Sequence, residues 1–374
     1  MDKVCTWRTV LCRLPFLLLL PLGMYLPRIF SNKTSWMERY AEEIYPLFKD
    51  AISSVSTLLP ISLAEFFIYL LCILIPLLLI REIIRLVQKR STLCCFVNLI
   101  VTFGVLAGVL WNLFYVTWGF NYFREPLASR MELPVQAREA EDLAELTVSL
   151  AEEASMIRAA LNEDENGVFA VSCGTPNQMF SELTDAYAEL SEKEPVLAGK
   201  VTPAKSVEWS EGLSWLGISG IYIGLTAEPN VNVHQPDLLQ LHAAAHEMAH
   251  QLGIASEDAA EFVGFLACMS SDNPEIQYSG LMNALVHCGN ALSRADKELY
   301  AAACQSYSDD LWRDFTAYNA YWERYEGKAE EIATETNDSY LKHNAQPSGV
   351  RSYGESVDLL LAYFYDTNRE QKIF

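Results

Sequence analysis

The sequence predicts a mainly helical α+β protein in two parts: three N-terminal transmembrane helices, then a larger water-exposed domain in which a small sheet stands beside one helix. Three observations predict it. Long apolar runs are confined to the first third of the chain, the charge balance reverses near residue 125, and a β-rich stretch directly precedes a helix with paired histidines.

The 374 residues exceed one typical domain, and a hydrophobic share of 51% is slightly high for a soluble chain. The excess is local. Leu58 to Ile80 holds a single charge, Glu65, and Ser91 to Phe123 holds none over 33 residues. A helix that crosses a bilayer needs about 20 mainly apolar residues, so both read as spans. The run from Leu14 to Pro27 is shorter. Lys3, Arg8 and Arg13 before it would suit a cleaved signal peptide, but Pro27-Arg28-Ile29-Phe30 offers no small-x-small cleavage site. An uncleaved first span with snorkelling arginines at its ends is the better reading. The expected spans are about 11–30, 58–80 and 93–118, within a membrane domain of residues 1–125.

Arg81, Arg85, Lys89 and Arg90 crowd the link between the second and third spans, which places that link in the cytoplasm. The Ser31 to Thr57 loop and the domain of residues 126–374 then lie outside. Residues 1–125 carry 12 basic and 8 acidic side chains, residues 126–374 carry 15 and 40. A surface that negative repels nucleic acid and anionic headgroups, so a nucleic-acid function is excluded. Of the nine cysteines, Cys5, Cys12, Cys72, Cys94 and Cys95 lie in or beside the spans. Cys173, Cys268, Cys288 and Cys304 show no metal-ribbon spacing and read as small buried hydrophobes, with a Cys288–Cys304 pairing open to an extracellular domain.

Pro126 and Pro134 bound a connector. From Val135 to Leu161 apolar residues recur at helical spacing on an acidic background, and Asn177 to Leu190 repeats the pattern. Lys200 to Val233 changes character: Ile218-Ser219-Gly220-Ile221-Tyr222-Ile223 has the β-branched and aromatic content of strands. An extended substrate can add itself to such a sheet's edge, or the sheet can simply pack on the next helix. Beyond Cys268, helices are expected from Asn273 to Leu292, from Ser293 toward Tyr325, and from Tyr353 to Tyr365, with a polar stretch from Asn337 to Arg351. Trp312, Phe315, Tyr318, Tyr321 and Trp322, spaced mostly by three and four, read as core.

The chemistry lies in Leu238 to Cys268. His246-Glu247-Met248-Ala249-His250 matches HExxH, a zinc metalloprotease signature. On a helix the two histidines share a face one turn apart and can hold one Zn²⁺. Glu247 can then take the proton of a zinc-bound water as it attacks a carbonyl. A third ligand must come from beyond the helix end. A straight helix would carry Glu257 about 10 Å past His250 at ~1.5 Å per residue, so the chain has to turn, and Gly253 is the residue that permits it. Ser256 then caps a second helix with Glu257 and Asp258 in its first turn. Glu261 is a rival ligand and His242 a weaker one. Tyr340, His343, Arg351 and Tyr353 are candidates for stabilising the oxyanion.

Taken together, Trp118-Gly119-Phe120-Asn121-Tyr122-Phe123-Arg124, Gly220-Ile221-Tyr222, the HExxH helix with Gly253, Glu257-Asp258-x-Ala260-x-Phe262 and Tyr340-Leu341-Lys342 resemble a bacterial family of membrane proteins of unknown function whose members look like zincin-type metallopeptidases. The resemblance covers nearly the whole chain. It implies a zincin-like domain in residues 126–374, a multi-pass protein of the bacterial cell membrane, and Glu257 ahead of Glu261 as third ligand. It departs at Ala227 and Pro229, where the family has Gly and Ala, and Pro229 would remove a backbone donor from the strand expected to receive substrate.

The function expected from these residues is a membrane-anchored zinc metallopeptidase acting on peptide or protein substrates. His246, His250 and Glu257 hold Zn²⁺, and Glu247 serves as general base. Two alternatives stand beside it: an intramembrane metalloprotease, and a non-enzymatic sensor or assembly domain with structural zinc. The sequence sets no oligomeric state.

Overall fold

Among the described residues, three helices are long and apolar enough to cross a membrane: Trp7–Phe30, Leu63–Val87 and Leu93–Thr117. The computed structural model describes residues 6–30, 32–172 and 174–366; Lys3, Cys5 and Cys173, singled out above, lie outside these, as does the side chain of Tyr353. The first helix begins earlier than expected and tightens into a 3-10 turn at Leu14–Leu18, where Pro15 has no N–H to give. The second starts and ends later than residues 58–80. Ser62 caps it by accepting from the Glu65 N–H at 3.0 Å, and beyond Ile80 the good helix formers Arg81, Glu82 and Arg85 carry it on.

Within the segment expected as a loop, Thr34–Arg39 and Tyr45–Ser56 are helices joined by a π turn. Tertiary contact explains the difference. Met37, Tyr40, Ala41 and Tyr45 are buried, packed with Tyr115, Trp118 and Phe123 at the exit of the third span.

In the water-exposed part, Ala140–Arg158, Pro176–Lys193 and Pro274–Ala295 follow the predicted pattern. The expected helix from Ser293 to Tyr325 is two, Lys297–Ala303 and Asp309–Glu323, because the side chains of Asp296 and Ser308 each cap a fresh start. Much of the polar 337–351 stretch is the end of a further helix, Lys328–His343, followed by the last, Ser352–Phe364. Trp312 is 41% exposed while Tyr321 is buried, so the aromatic set is divided between surface and core. Cys268 and Cys288 are buried free thiols, and Cys304 is free as well.

Three short strands form the sheet: β1 (Lys205–Ser206), β2 (Gly220–Ile223) and β3 (Glu228–Val231), in the order β1-β3-β2. β1 runs parallel to β3, and β2 antiparallel to it with Gly220 opposite Val231 and Ile223 opposite Glu228. β3, which carries Pro229, is thus paired on both sides. The strand expected to receive substrate is the sheet's centre, and β2 is an edge.

The motif helix, Asp237–His250, lies in the middle of the core between the sheet, Glu257–Met269 and Pro274–Ala295. Ala243, Ala244, Ala245 and Ala249 are all buried, and their small side chains let these neighbours approach closely.

Candidate metal centre

His246 and His250 stand one turn apart, their rings 5.0 Å between centroids and nearly perpendicular at 87°. The helix stops just after them because Gly253 adopts φ +72°, with its N–H on the His250 carbonyl at 3.0 Å. A side chain there would also strike Asn121 and Arg124. Arg124 donates to the Gly253 carbonyl at 3.2 Å and holds Glu38 through Nε at 3.2 Å and Nη2 at 3.0 Å. The exit of the third span therefore clamps the turn that follows the motif helix.

After the turn, Glu257 returns to the histidines. Its Oε2 lies 3.2 Å from His246 Nε2 and 3.8 Å from His250 Nε2. One ligand atom from each of His246, His250 and Glu257 lies within 4.8 Å of the others, and all three residues are buried. The opposite ring nitrogens are engaged elsewhere: His246 Nδ1 faces Glu261 Oε1 at 3.3 Å, and His250 Nδ1 meets the Ile254 carbonyl at 2.6 Å. Metal-binding histidines are held this way, with the outer nitrogen fixing the tautomer while the inner one is offered to the ion. The donor set, two imidazole nitrogens and a carboxylate oxygen, fits zinc with a position left over.

Glu261 thus faces the outer side of His246, away from the nitrogens that converge with Glu257. It also reaches His242 Nε2 at 3.6 Å and His287 Nε2 at 3.7 Å, and it accepts from Asn283 Nδ2 at 3.2 Å. His242 lies in this outer group, bonded to Asn283. His287 and Asn283 were not singled out in the sequence; their spacing of four on one helix was the available signal.

Glu247 lies under β2. Its Cγ and Oε1 are 2.7 Å from where a Cβ on Gly220 would stand, so any side chain at 220 would displace the carboxylate. The Tyr222 N–H is turned toward that carboxylate, and the Tyr222 ring lies 6.0 Å from that of His250. Tyr222 O–H pairs with Tyr45 O–H at 3.1 Å, and Tyr45 also donates toward the His250 carbonyl at 3.3 Å. Neither tyrosine was legible as part of the site, since each meets it through tertiary contact alone.

Burial raises the Glu247 carboxyl to about 8, against the pull of His246, and the charges of Glu257 and Glu261 add to the rise. Burial lowers His250 to about 4, a neutral ring at pH 7. His246 is pushed well above its ordinary value despite burial, because Glu261 and Glu257 flank it.

Residues 40–361 match the family described as Protein of unknown function (DUF3810), a range that includes every side chain of this cluster. The chain belongs to that family. No curated protein and no solved structure matches it. Within this DUF3810 member the other sequence candidates separate. Tyr340, pushed up by burial and by the charge of Glu257, shares a hydroxyl contact of 3.1 Å with Tyr122 beside the site. His343 and Arg351 are exposed, and no contact of theirs with the cluster is found among the described residues.

Proposed function

We propose that the protein is a membrane-anchored zinc metallopeptidase whose catalytic domain faces the extracytoplasmic side. The observation that carries this is the convergence of His246 Nε2, His250 Nε2 and Glu257 Oε2 beside the buried Glu247 carboxylate and the edge strand β2. When bound, zinc supplies Lewis acidity toward a peptide carbonyl and makes water a better nucleophile at neutral pH. The side chains do the rest. Glu247 takes a proton from the attacking water and passes it to the leaving amine nitrogen, held in place by the Tyr222 N–H.

The sidedness rests on the basic link. The start of the second span and the end of the third contact the domain, so Lys89 and Arg90 are at the far end, where positive charge favours the cytoplasm. Two observations favour this reading over its alternatives. The motif helix has 14 residues, fewer than the about 20 a bilayer crossing takes, and is wrapped by protein. A structural zinc would need a fourth protein ligand, yet Glu261 meets His246 on its Nδ1 side.

The test uses the purified full chain. About one zinc per chain is expected. Glu247→Gln should keep the metal and slow hydrolysis of a peptide library by about 10²- to 10⁴-fold, the usual worth of a general base. Undiminished hydrolysis by that variant would overturn the mechanism.

A further inference from the structure

The metal cluster lies at the level where the third span ends. Trp118 follows Thr117, the last residue of that span, and its ring is 5.7 Å from that of His250. The β2–β3 hairpin is fastened at the same level. Gly224, just past β2, is pressed against the Trp118 side chain, and Glu228, at the start of β3, accepts from the Leu63 and Ala64 N–H groups at 3.1 and 2.9 Å in the first turn of the second span. β2 therefore runs down to the bilayer surface between the ends of two spans.

Its outer edge faces the cluster. Asn232 N–H bonds the Ser219 carbonyl at 3.0 Å, so Ser219 and Ile221 direct their backbone groups to β3, and by alternation Gly220 and Tyr222 direct theirs outward. The Tyr222 N–H, reaching Glu247, shows that outward means toward the site. A polypeptide added along this edge lies across Glu247 with one end at the lipid.

The surface around the hairpin is apolar in the same plane. The Trp209 N–H is tied to Glu65 of the second span at 2.8 Å, and its indole is 55% exposed; Leu58 is 79%, Ile221 40% and Leu225 36% exposed. Exposed indole and aliphatic groups at a span's end belong in the interfacial layer of a bilayer. The scissile position is then within a few extended residues of the hydrocarbon.

We infer that the substrate is the juxtamembrane stretch of a membrane-anchored polypeptide, added as a strand to β2 within a few residues of its own anchor. This rests on the peptidase reading. An anchored chain is confined to the layer where the site opens, and confinement raises its effective concentration over that of a free peptide.

The experiment reconstitutes the full chain in phosphatidylcholine vesicles and presents one randomised decapeptide cassette in three formats: directly beside a transmembrane helix, separated from that helix by a long hydrophilic linker, and free in solution. New termini are read by mass spectrometry, with Glu247→Gln as the blank. Cleavage beside the anchor at least about tenfold faster than in the other two formats is expected. Equal rates in all three, or a preference for the free or distant cassette, would overturn the inference and leave the peptidase reading standing. No wild-type cleavage in any format, with zinc bound, would overturn both.

Discussion

Arg158 and Asp314 are buried in contact, with Nε 2.7 Å from Oδ2, and the remaining capacity of the carboxylate is taken by Tyr278 O–H at 2.5 Å and Phe169 N–H at 2.8 Å. The motif helix gathers its charges differently. Glu247 and Glu257 are buried around it and Glu261 nearly so, and of the imidazoles among them His242 and His250 are held neutral by burial. One cluster balances itself; the other has more anion than cation. A buried pair that satisfies itself is architecture, whereas a buried surplus of one sign costs stability and persists where a ligand of the opposite sign completes it.

The comparison can be broken first at Glu257. Glu257→Ala should lose the metal, and in the metal-free state it should cost less stability than breaking the Arg158–Asp314 pair, because His246 keeps Glu261 as a partner. Metal analysis and thermal denaturation of the two metal-free proteins check both halves. Asp314→Ala should do the reverse: it strands the Arg158 charge, costs about 3–5 kcal/mol, and leaves metal stoichiometry unchanged in the folded fraction. Denaturant unfolding of the variant measures this.

Glu261→Ala is a finer test. As the outer partner of His246 it should weaken zinc affinity by about 10- to 100-fold without abolishing it, read by competition with a chelator. If Glu261→Ala lost metal as completely as Glu257→Ala, Glu261 would be a ligand and the assignment of the two acids would be wrong.

The smallest effect is in the pH dependence of the metal-free protein. Glu247 moves from an ordinary 4.5 to about 8 on folding, so between those values the unfolded chain has lost a proton that the folded chain keeps. Its contribution is fully present below 4.5 and is lost as pH rises through about 8. Glu247→Gln should flatten that decline, visible as a narrower spread of melting temperatures across the range.

Much of the fold could be read from local signals. Apolar runs located the spans, and their ends moved only where a cap such as Ser62 or a stretch of good helix formers outweighed hydropathy. The helices after Gly253 were legible, though Asp296 and Ser308 divided one of them. The two helices of residues 34–56 were not, because they rest on a distant aromatic surface that includes Tyr115, Trp118 and Phe123, with Tyr40 O–H donating to the Val116 carbonyl beside it. At the site, His246, His250 and Glu247 followed from a five-residue motif. Glu257 depended on how the chain turns, and Tyr222, Tyr45 and His287 on where other elements settle.

The sequence alone determined that two imidazoles share a helix face with a carboxylate beside them, since spacing along a helix is set by local backbone geometry. It also determined that the first third of the chain holds three membrane-length helices. Only the tertiary structure decided which of two acids, four residues apart, faces the inner nitrogens, that β2 rather than β3 is the open edge, and that the cluster lies beside the end of the third apolar helix. These depend on contacts between residues far apart in the chain, such as Arg124 on Gly253 and Glu228 on Ala64, and no local propensity encodes which distant surfaces will meet.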